Sequence, residues 1–260
     1  MPMKGVEKRA FPYHYAPGKR LFHIVARMSD EPGSFSSILD LLASQVDLIG
    51  TETYGVDEGS AVFSGFAEPL SPTQTPSELE KVIMGSKAAR EAMVTEGSDG
   101  MLVDKFHTGL EVGPQSLMYF RRGAMSKVFD KVVELFGSGG ETLLYNEGNA
   151  MGRDNAAVMI NLIGKEMVRR QSDQLRFVLQ AQGWGSLSVP QRDPAGWSKV
   201  QVNDCFECSE SGGKRHSCNF LRGYLEGSGT TVYDVEMRSE ETKCILRGDP
   251  VCEFALGPKR

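Results

Sequence analysis

The chain has 260 residues, of which 40% are hydrophobic and 24% are charged, and its formal net charge is -5. This composition is typical of a soluble globular protein of one or two domains, and the acidic balance argues against a general nucleic-acid surface. No apolar run approaches the roughly 20 residues of a membrane span. The basic N-terminal stretch lacks the apolar core of a signal peptide, and the odd cysteine count predicts a reducing, cytoplasmic location.

Residues 1–18 contain three prolines and are predicted to form an N-terminal arm. The region 19–108 then alternates between the period of a strand and the period of a helix. The predicted elements are a strand at 21–28, a helix containing residues 35–42, strands at 46–56 and 61–67, a helix at 78–94 and a strand at 101–106. The order βαββαβ predicts a ferredoxin-like α+β domain with helices on an antiparallel sheet.

The turn between the first strand and the first helix reads Asp30-Glu31-Pro32-Gly33-Ser34-Phe35. Together with the apolar helix after it, this turn resembles that of an ACT domain. The resemblance implies a regulatory domain that binds an amino acid at an interface, with Gly33 letting the ligand approach the loop. The alternative is that Gly33 only makes the turn and the domain serves dimerisation. His23 lies within a predicted strand and is interpreted as structural.

A second domain is predicted at 113–258, after a linker at residues 108–114. Its first half is predicted to be helical and its second half to be a sheet. Helices are predicted within 117–136, at 155–170 and at 171–182, and strands at 186–189 and 199–208. Gly148 and Gly152 are spaced for close helix packing, and they do not form a nucleotide-binding loop because the Lys-Ser/Thr ending is missing.

All five cysteines lie between Cys205 and Cys252. Cys244 and Cys252 flank a turn at 247–250, so a hairpin would bring their sulfurs close together. Glu241 precedes Cys244 by three residues, and in a flat strand the two side chains would point to opposite faces. They can share a target only if the backbone bends, which we expect at 238–240.

Cys218 would join this group by returning from a preceding helix. Three thiolates and one carboxylate make a closed tetrahedral zinc site chemically reasonable. The alternatives are a Cys244–Cys252 disulfide or plain buried thiols. His216 is the substitute ligand if Glu241 does not bind.

Cys205 and Cys208 form a Cys-x-x-Cys motif within the strand predicted at 199–208. Because alternate residues of a strand point to opposite faces, we do not expect these two thiols to share one ion. A redox pair would instead require a helix that starts directly after the motif.

The segment from Cys218 to Phe254 resembles the end of a vinyl-4-reductase domain. The motif consists of a cysteine, a Gly-Tyr pair, Glu-x-x-Cys and Gly-Asp-x-x-Cys-x-Phe. The matching positions are Cys218, Gly223-Tyr224, Glu241 to Cys244 and Gly248 to Phe254. In the aromatic sensors of this family a zinc ion is held at four positions, so the resemblance implies a zinc site formed by Cys218, Glu241, Cys244 and Cys252.

The resemblance also implies a ligand cavity between the helices and the sheet. The candidates to line it, from their places beside the motif, are Trp184, Phe206, Leu221 and Tyr224. Each of the four can equally be ordinary core. The aromatic sensors have a tryptophan before the strand motif, where this chain has Gln201, Val202 and Asn203. The resemblance therefore implies a hydrophobic pocket rather than phenol in particular.

The function expected from these resemblances is a cytoplasmic sensor that binds a small hydrophobic molecule such as a hydrocarbon. It would be braced by structural zinc and act as a homodimer or through a partner, without a DNA-binding or membrane-spanning part of its own. One alternative is an enzyme, or an accessory of one, acting on a vinyl-bearing or unsaturated ring, although no cofactor fingerprint or acid–base constellation is found. Another is an amino-acid-responsive regulator acting through the first domain.

Overall fold

A computed structural model describes residues 12–113, 115–192, 197–213 and 215–259. The chain divides into two compact units, one ending at Met118 and the other beginning at Tyr119. Helices and antiparallel sheets occur in both units, which confirms the predicted α+β class.

The N-terminal unit contains a four-stranded antiparallel sheet in the order β3-β4-β2-β5. This order is that of the predicted ferredoxin-like arrangement. The elements of the unit are β1 (Tyr13–Tyr15), β2 (Phe22–Ser29), α1 (Ser34–Leu42), β3 (Val46–Asp57), β4 (Ser60–Pro69), α2 (Pro76–Ile83), β5 (Ala89–Glu96), β6 (Met101–Val103), β7 (Leu110–Val112) and β8 (Gln115–Leu117).

Alternation along β2 builds the core of this unit. Phe22, Ile24 and the residues that follow at spacing two point toward the helices, because successive side chains of a strand face opposite sides. They pack against Ile38 of α1 and against Leu79 and Ile83 of α2. Burying side chains of this kind stabilises a fold by about 1.5–3 kcal/mol each, which explains why the apolar pattern fixes this layer.

The prediction for 78–94 is wrong in its second half. The helix α2 starts after Thr75, whose side chain and that of Glu78 form a reciprocal capping box, and it ends at Ile83. Ala89–Glu96 is instead the edge strand β5, paired with β2 along its whole length. Its spaced apolar residues fit either period, and pairing with the open edge of β2 satisfies the backbone groups of the segment.

The strand predicted at 101–106 is also corrected, since only Met101–Val103 is extended. It does not join the main sheet but pairs with β1, so that part of the predicted N-terminal arm forms a two-stranded ribbon. Leu102 of this ribbon packs with Leu21 and Phe66 on the sheet face opposite the helices. β7, in the predicted linker, pairs with β8, which lies just after it, as a short hairpin.

The C-terminal unit has the predicted order of helices first and sheet second. Its elements are α3 (Arg122–Phe136), α4 (Ser138–Ile163), α5 (Lys165–Arg170), α6 (Ser172–Ala181), β9 (Ser186–Arg192), β10 (Ser198–Asn203), α7 (Asn219–Tyr233), β11 (Met237–Lys243), a 3-10 turn (Ile245–Arg247) and β12 (Cys252–Pro258). The helix predicted at 155–170 is in fact the end of the 26-residue α4 followed, after Gly164, by α5.

The four-stranded sheet of this unit has the order β11-β12-β10-β9, and all neighbours are antiparallel. β10 ends at Asn203, five residues before the predicted end at Cys208. The predicted hairpin around residues 247–250 is confirmed by the pairing of β11 with β12.

The long helices α4 and α7 run parallel and touch through their backbones. A side chain on Gly148 would overlap the carbonyl oxygen of Phe220, and one on Gly223 would overlap that of Tyr145. Gly152 lies equally close to Tyr224. The prediction that the two glycines of α4 allow close helix packing is therefore confirmed. No helix in the described part of the chain has the length and hydrophobicity needed to cross a membrane.

Candidate metal centre

Five free cysteines lie buried together in the C-terminal unit. The Sγ of Cys218 is 3.1 Å from that of Cys208, 3.6 Å from Cys252 and 3.7 Å from Cys244. The Sγ of Cys208 is 3.4 Å from that of Cys252 and 3.9 Å from that of Cys244. Four thiolates bound to one zinc at about 2.3 Å lie about 3.8 Å apart, and these five separations, from 3.1 to 3.9 Å, are close to that value.

The Cys-x-x-Cys motif lies in a turn directly after β10. The carbonyl of Cys205 accepts hydrogen bonds from the amides of Cys208 (3.0 Å) and Ser209 (3.1 Å). This turn brings both thiols to the cluster, with Cys205 Sγ 3.9 Å from Cys218 Sγ. The prediction that Cys205 and Cys208 point to opposite faces is therefore wrong, because the strand on which it relied has already ended.

Cys218 begins α7 instead of following a helix, which corrects the sequence prediction. Its amide donates to both carboxylate oxygens of Glu241, at 3.2 and 3.1 Å. The next free amides of the helix, those of Phe220 and Leu221, donate to the two oxygens of Glu207. Carboxylates at a helix start satisfy unpaired amides and interact favourably with the helix dipole.

Cys244 and Cys252 lie on either side of the β11–β12 turn. The amide of Cys244 donates to Asp249 Oδ2 at 2.8 Å, and the left-handed Gly248 completes the turn. The expected bend at 238–240 is wrong, because these residues pair regularly with β12. The irregularity falls between Glu241 and Lys243, and this shift is what allows Glu241 and Cys244 to face the same centre.

Glu241 is brought to the cluster as predicted. Its carboxylate, with Cys218, Cys244 and Cys252, forms a group whose donor atoms all lie within 4.8 Å of one another. Burial raises the pKa of this carboxyl above its ordinary value. The guanidinium of Arg247 lies 3.7 Å away. A second group with the same property consists of Cys205, Cys208, Cys218 and Cys252. The substitute ligand His216 is exposed and belongs to neither group.

The charge state of the thiols bears on what this cluster can bind. Hydrogen bonds with the neighbouring thiols, that of Cys205 first, and burial raise the pKa of Cys218. The pKa of Cys208 is also raised, by Cys205 first, although its hydrogen bond with Cys218 acts in the opposite direction. The same neighbours hydrogen-bond to Cys252 and lower its pKa. Metal ions bind thiolates and displace their protons, so binding of a divalent cation to this cluster would be coupled to the release of protons.

A buried ion network supports the cysteine turn, and sequence reasoning missed it. Arg215 is fully buried and donates to Asp130 Oδ1 at 2.7 Å, to Glu207 Oε1 at 3.2 Å and to the carbonyl of Glu207 at 2.6 Å. Burial raises the pKa of Glu207 to about 7, against the opposing effect of its amide partners and Arg215. Arg215 follows a polar, glycine-containing stretch typical of a surface turn. The signal for a buried partner is Asp130, a charged residue within an apolar helix pattern.

The predicted cavity residues lie together next to this turn. The ring of Trp184 is 5.0 Å from that of Phe206 and 4.7 Å from that of Tyr224, measured between centroids. Phe220, which was not predicted, lies 6.1 Å from Trp184. Leu221 is buried in the neighbouring core together with the cysteines. The lining of a ligand cavity by these residues stays a prediction.

The part of the chain that contains the cysteine cluster is similar to a known domain family. Residues 199–258 match the model of the vinyl-4-reductase domain. The chain contains a vinyl-4-reductase domain. The matched residues run from β10 to β12 and include all five cysteines, so the whole cluster belongs to this domain. No curated protein matches the chain.

Among solved structures, the chain is similar to several at 15–17% identity. One is the phenol-responsive sensory domain of the transcription activator PoxR with phenol (TM-score 0.46, 17% identity, 59% of this chain and 84% of that chain). Another is a vinyl-4-reductase family protein from Methanocaldococcus jannaschii (TM-score 0.36, 16% identity, 55% and 85%). A trafficking protein particle complex subunit 3 from Naegleria fowleri, covalently bound to palmitic acid, is also similar (TM-score 0.44, 15% identity, 54% and 95%). Similarity at this level does not transfer a ligand to this chain.

Proposed function

We propose that this chain is a ligand-sensing regulatory protein whose vinyl-4-reductase domain binds a small hydrophobic molecule and is held together by a structural zinc ion. The observation that carries the proposal is the cluster of buried thiols within the residues that match the family model. The cytoplasm is the proposed location, because a reducing compartment keeps thiols free for a metal.

Zinc is the proposed metal because clustered thiolates with tetrahedral spacing are typical of structural zinc sites. Cys218, Cys244 and Cys252 are proposed ligands, as the family resemblance implies. For the fourth position the resemblance implies Glu241, but the sulfur of Cys208 has the spacing of a ligand, and both oxygens of Glu241 already accept the Cys218 amide. We therefore propose Cys208 as the fourth ligand and Glu241 as the group that orients Cys218.

The two alternatives for the fourth position give opposite results in paired variants. With Cys208 as a ligand, Cys208→Ser loses most of the bound zinc, whereas Glu241→Gln keeps one ion per chain, because an amide oxygen can still accept the Cys218 amide. Elemental analysis of freshly purified protein measures the difference. The reverse order of zinc contents would return Glu241 to the site.

The proposed hydrophobic ligand site is the wall formed by Trp184, Phe206, Leu221 and Tyr224. Large apolar rings with a single polar group, here the Tyr224 hydroxyl near Asn155, are typical of pockets for small aromatic or aliphatic molecules. A ligand bound between α7 and the aromatic rings would couple to the cysteine cluster, since Cys218 is the first residue before α7.

Native mass spectrometry followed by denaturing extraction tests the proposal in one experiment. One zinc per chain with a co-purified hydrophobic adduct is the expected result, and the same spectrum reads the proposed homodimer. An empty protein would next be titrated with phenol and toluene, using Trp184 fluorescence in a Trp197→Phe background. Protein without metal, in which Cys244 and Cys252 are oxidised to each other, would contradict the zinc site.

An amino-acid response is proposed only as a second role, for the N-terminal unit. Gly33 has a left-handed φ of 93°, and no heavy atom lies within 4 Å of where its side chain would be, so the loop there is open to approach. Stabilisation of that unit by one amino acid, lost in Gly33→Val, would support this role. Turnover of an unsaturated ring compound with a reductant would instead favour the enzymatic alternative.

A further inference from the structure

The N-terminal unit contains a second group of potential metal ligands, far from any cysteine in the sequence. His23 of β2, together with Asp104 and His107 from the segment after β6, forms a cluster whose donor atoms all lie within 4.8 Å of one another. The exposed fractions of these side chains are 0%, 13% and 20%. A cluster this well buried is not a set of solvated surface charges.

Both imidazoles turn the same nitrogen toward the carboxylate. His107 Nδ1 is 2.5 Å from Asp104 Oδ2, and His23 Nδ1 is 3.8 Å from Asp104 Oδ1. The opposite nitrogen of each ring is anchored to a hydroxyl group. His23 Nε2 is hydrogen-bonded to Ser64 Oγ at 3.0 Å, and His107 Nε2 is hydrogen-bonded to the hydroxyl of Tyr54.

The Nδ1 atom of His23 is buried and has no hydrogen-bond partner among the described residues. An unsatisfied polar atom in the interior costs about 1–3 kcal/mol. The carboxylate oxygen that faces it is too far away for a hydrogen bond. Bonds of about 2.1 Å to one ion place neighbouring nitrogen and oxygen donors about 3.0–3.4 Å apart, and the two observed separations lie on either side of this range.

The carboxylate is also held ready for this role. Asp104 Oδ1 accepts the amides of Phe106 (2.9 Å) and His107 (3.1 Å), which fixes the orientation of the carboxyl group. The hydroxyl oxygen of Thr95, the direct partner of His23 on β5, is also buried and has no hydrogen-bond partner among the described residues. Direct partners lie on the same face of a sheet, so the face bearing His23 has two unsatisfied polar atoms.

We propose that His23, Asp104 and His107 form a binding site for a divalent first-row transition metal ion. Coordination through both Nδ1 atoms leaves the protons on Nε2, where they are donated to the oxygens of Ser64 and Tyr54. Outer hydrogen bonds of this kind fix the tautomer and orientation of ligating histidines. Two imidazoles and one carboxylate suit zinc, iron, cobalt or nickel rather than calcium or magnesium. The ion would pin the segment after β6 to the sheet.

Cobalt(II) separates this site from the cysteine cluster, because only thiolate-bound cobalt gives an intense sulfur-to-metal charge-transfer band in the near ultraviolet. The full-length purified protein is washed with a mild chelator and titrated with cobalt(II), and bound cobalt is counted by elemental analysis. We expect one cobalt ion per chain that contributes visible bands without the charge-transfer band. Cobalt bound only with the charge-transfer band would overturn the proposal, whatever the fate of the zinc site.

Variants locate the ion. His107→Gln and Asp104→Asn each lose this cobalt ion, while His14→Gln, on the ribbon strand β1 and outside the cluster, keeps it. Asp104→Asn is nearly isosteric and serves if His107→Gln does not fold. Tyr54→Phe retains all three ligands and is expected to bind about 10–100-fold more weakly, as for other losses of an outer partner. Unchanged cobalt binding in both His107→Gln and Asp104→Asn would overturn the assignment.

Discussion

The two units of this chain are stabilised in different ways. The N-terminal unit packs a continuous layer of aliphatic and aromatic side chains between one sheet and two helices. The interior of the C-terminal unit also contains five thiols, a buried arginine and glycines whose backbone contacts a neighbouring helix. The first unit therefore depends on apolar periodicity within each element, whereas the second depends in addition on specific contacts between residues far apart in the chain.

The largest expected effect is a loss of stability in the C-terminal unit alone. Cys252→Ser removes one thiolate of the proposed zinc site, and structural zinc in small domains contributes about 10–16 kcal/mol of apparent binding energy, which is as large as the stability of a whole domain, about 5–15 kcal/mol. We expect the vinyl-4-reductase domain to lose its protection against hydrogen exchange while β2, β4 and β5 keep theirs. Hydrogen exchange followed by mass spectrometry measures the protection of both units in one sample.

Cys205→Ser is the matched control for that variant. The Cys205 sulfur lies 3.9 Å from Cys218 but outside the four-thiol set proposed here. The Cys205→Ser variant should retain the proposed zinc ion and its normal protection against hydrogen exchange. Equal loss of zinc in both variants would show that Cys205 is itself a ligand.

Arg215→Met tests the buried ion network. The change leaves Asp130 and Glu207 without their shared partner, and breaking a buried pair on one side costs about 3–5 kcal/mol. Urea unfolding followed by a probe in the second unit measures the loss. Lys127→Met removes an exposed pair with Glu210 and is expected to change stability by less than about 1 kcal/mol. Similar values for the two variants would mean that burial of Arg215 contributes little.

Gly148→Ala tests the backbone contact between α4 and α7. The added methyl group overlaps the Phe220 carbonyl, so the helices must separate, at a cost of about 1–3 kcal/mol. Gly139 lies in the first turn of the same helix with open space around it, and Gly139→Ala should stabilise by up to about 0.5–1 kcal/mol, the value for a helix interior. Thermal unfolding should therefore shift in opposite directions, and a shared direction would count against the close contact.

The smallest expected effect is in the N-terminal unit. Thr75→Ala removes the capping hydroxyl of α2 and is expected to cost about 1 kcal/mol, since the helix remains packed on the sheet. Urea unfolding monitored on the N-terminal unit measures this loss. The stability of the C-terminal unit should not change, and a shift there would contradict the independence of the two stabilising patterns.

Much of the fold could be predicted because apolar period and turn chemistry are local. The strand predicted at 21–28 is observed as Phe22–Ser29, and the strands predicted at 46–56 and 61–67 are observed as the hairpin of β3 and β4. Ala89 to Val94 was misassigned because its apolar residues fit both periods and only the free edge of β2 decides between them. The composition of a segment does not show whether a strand with an unpaired edge lies next to it in the fold.

The candidate site shows the same limit. The hairpin thiols and Glu241 were predicted to converge, and they do, because a turn and a motif place them within one short segment. Cys208 was excluded by assuming that β10 continued, although Asn203-Asp204 ends it with a left-handed residue at Asp204. Arg215 was missed because its partners Asp130 and Glu207 belong to other elements.

The parallel contact of α4 with α7 also bears on the order of folding. α4 contains four glycines and α7 three, and each lowers helix propensity by up to about 1 kcal/mol relative to alanine. Neither helix is therefore expected to persist alone. Their contact joins residues separated by about seventy positions, and contacts between distant residues form only after a costly loop closure. The two helices should thus form together and late, with Cys218 reaching the other thiols in the same step.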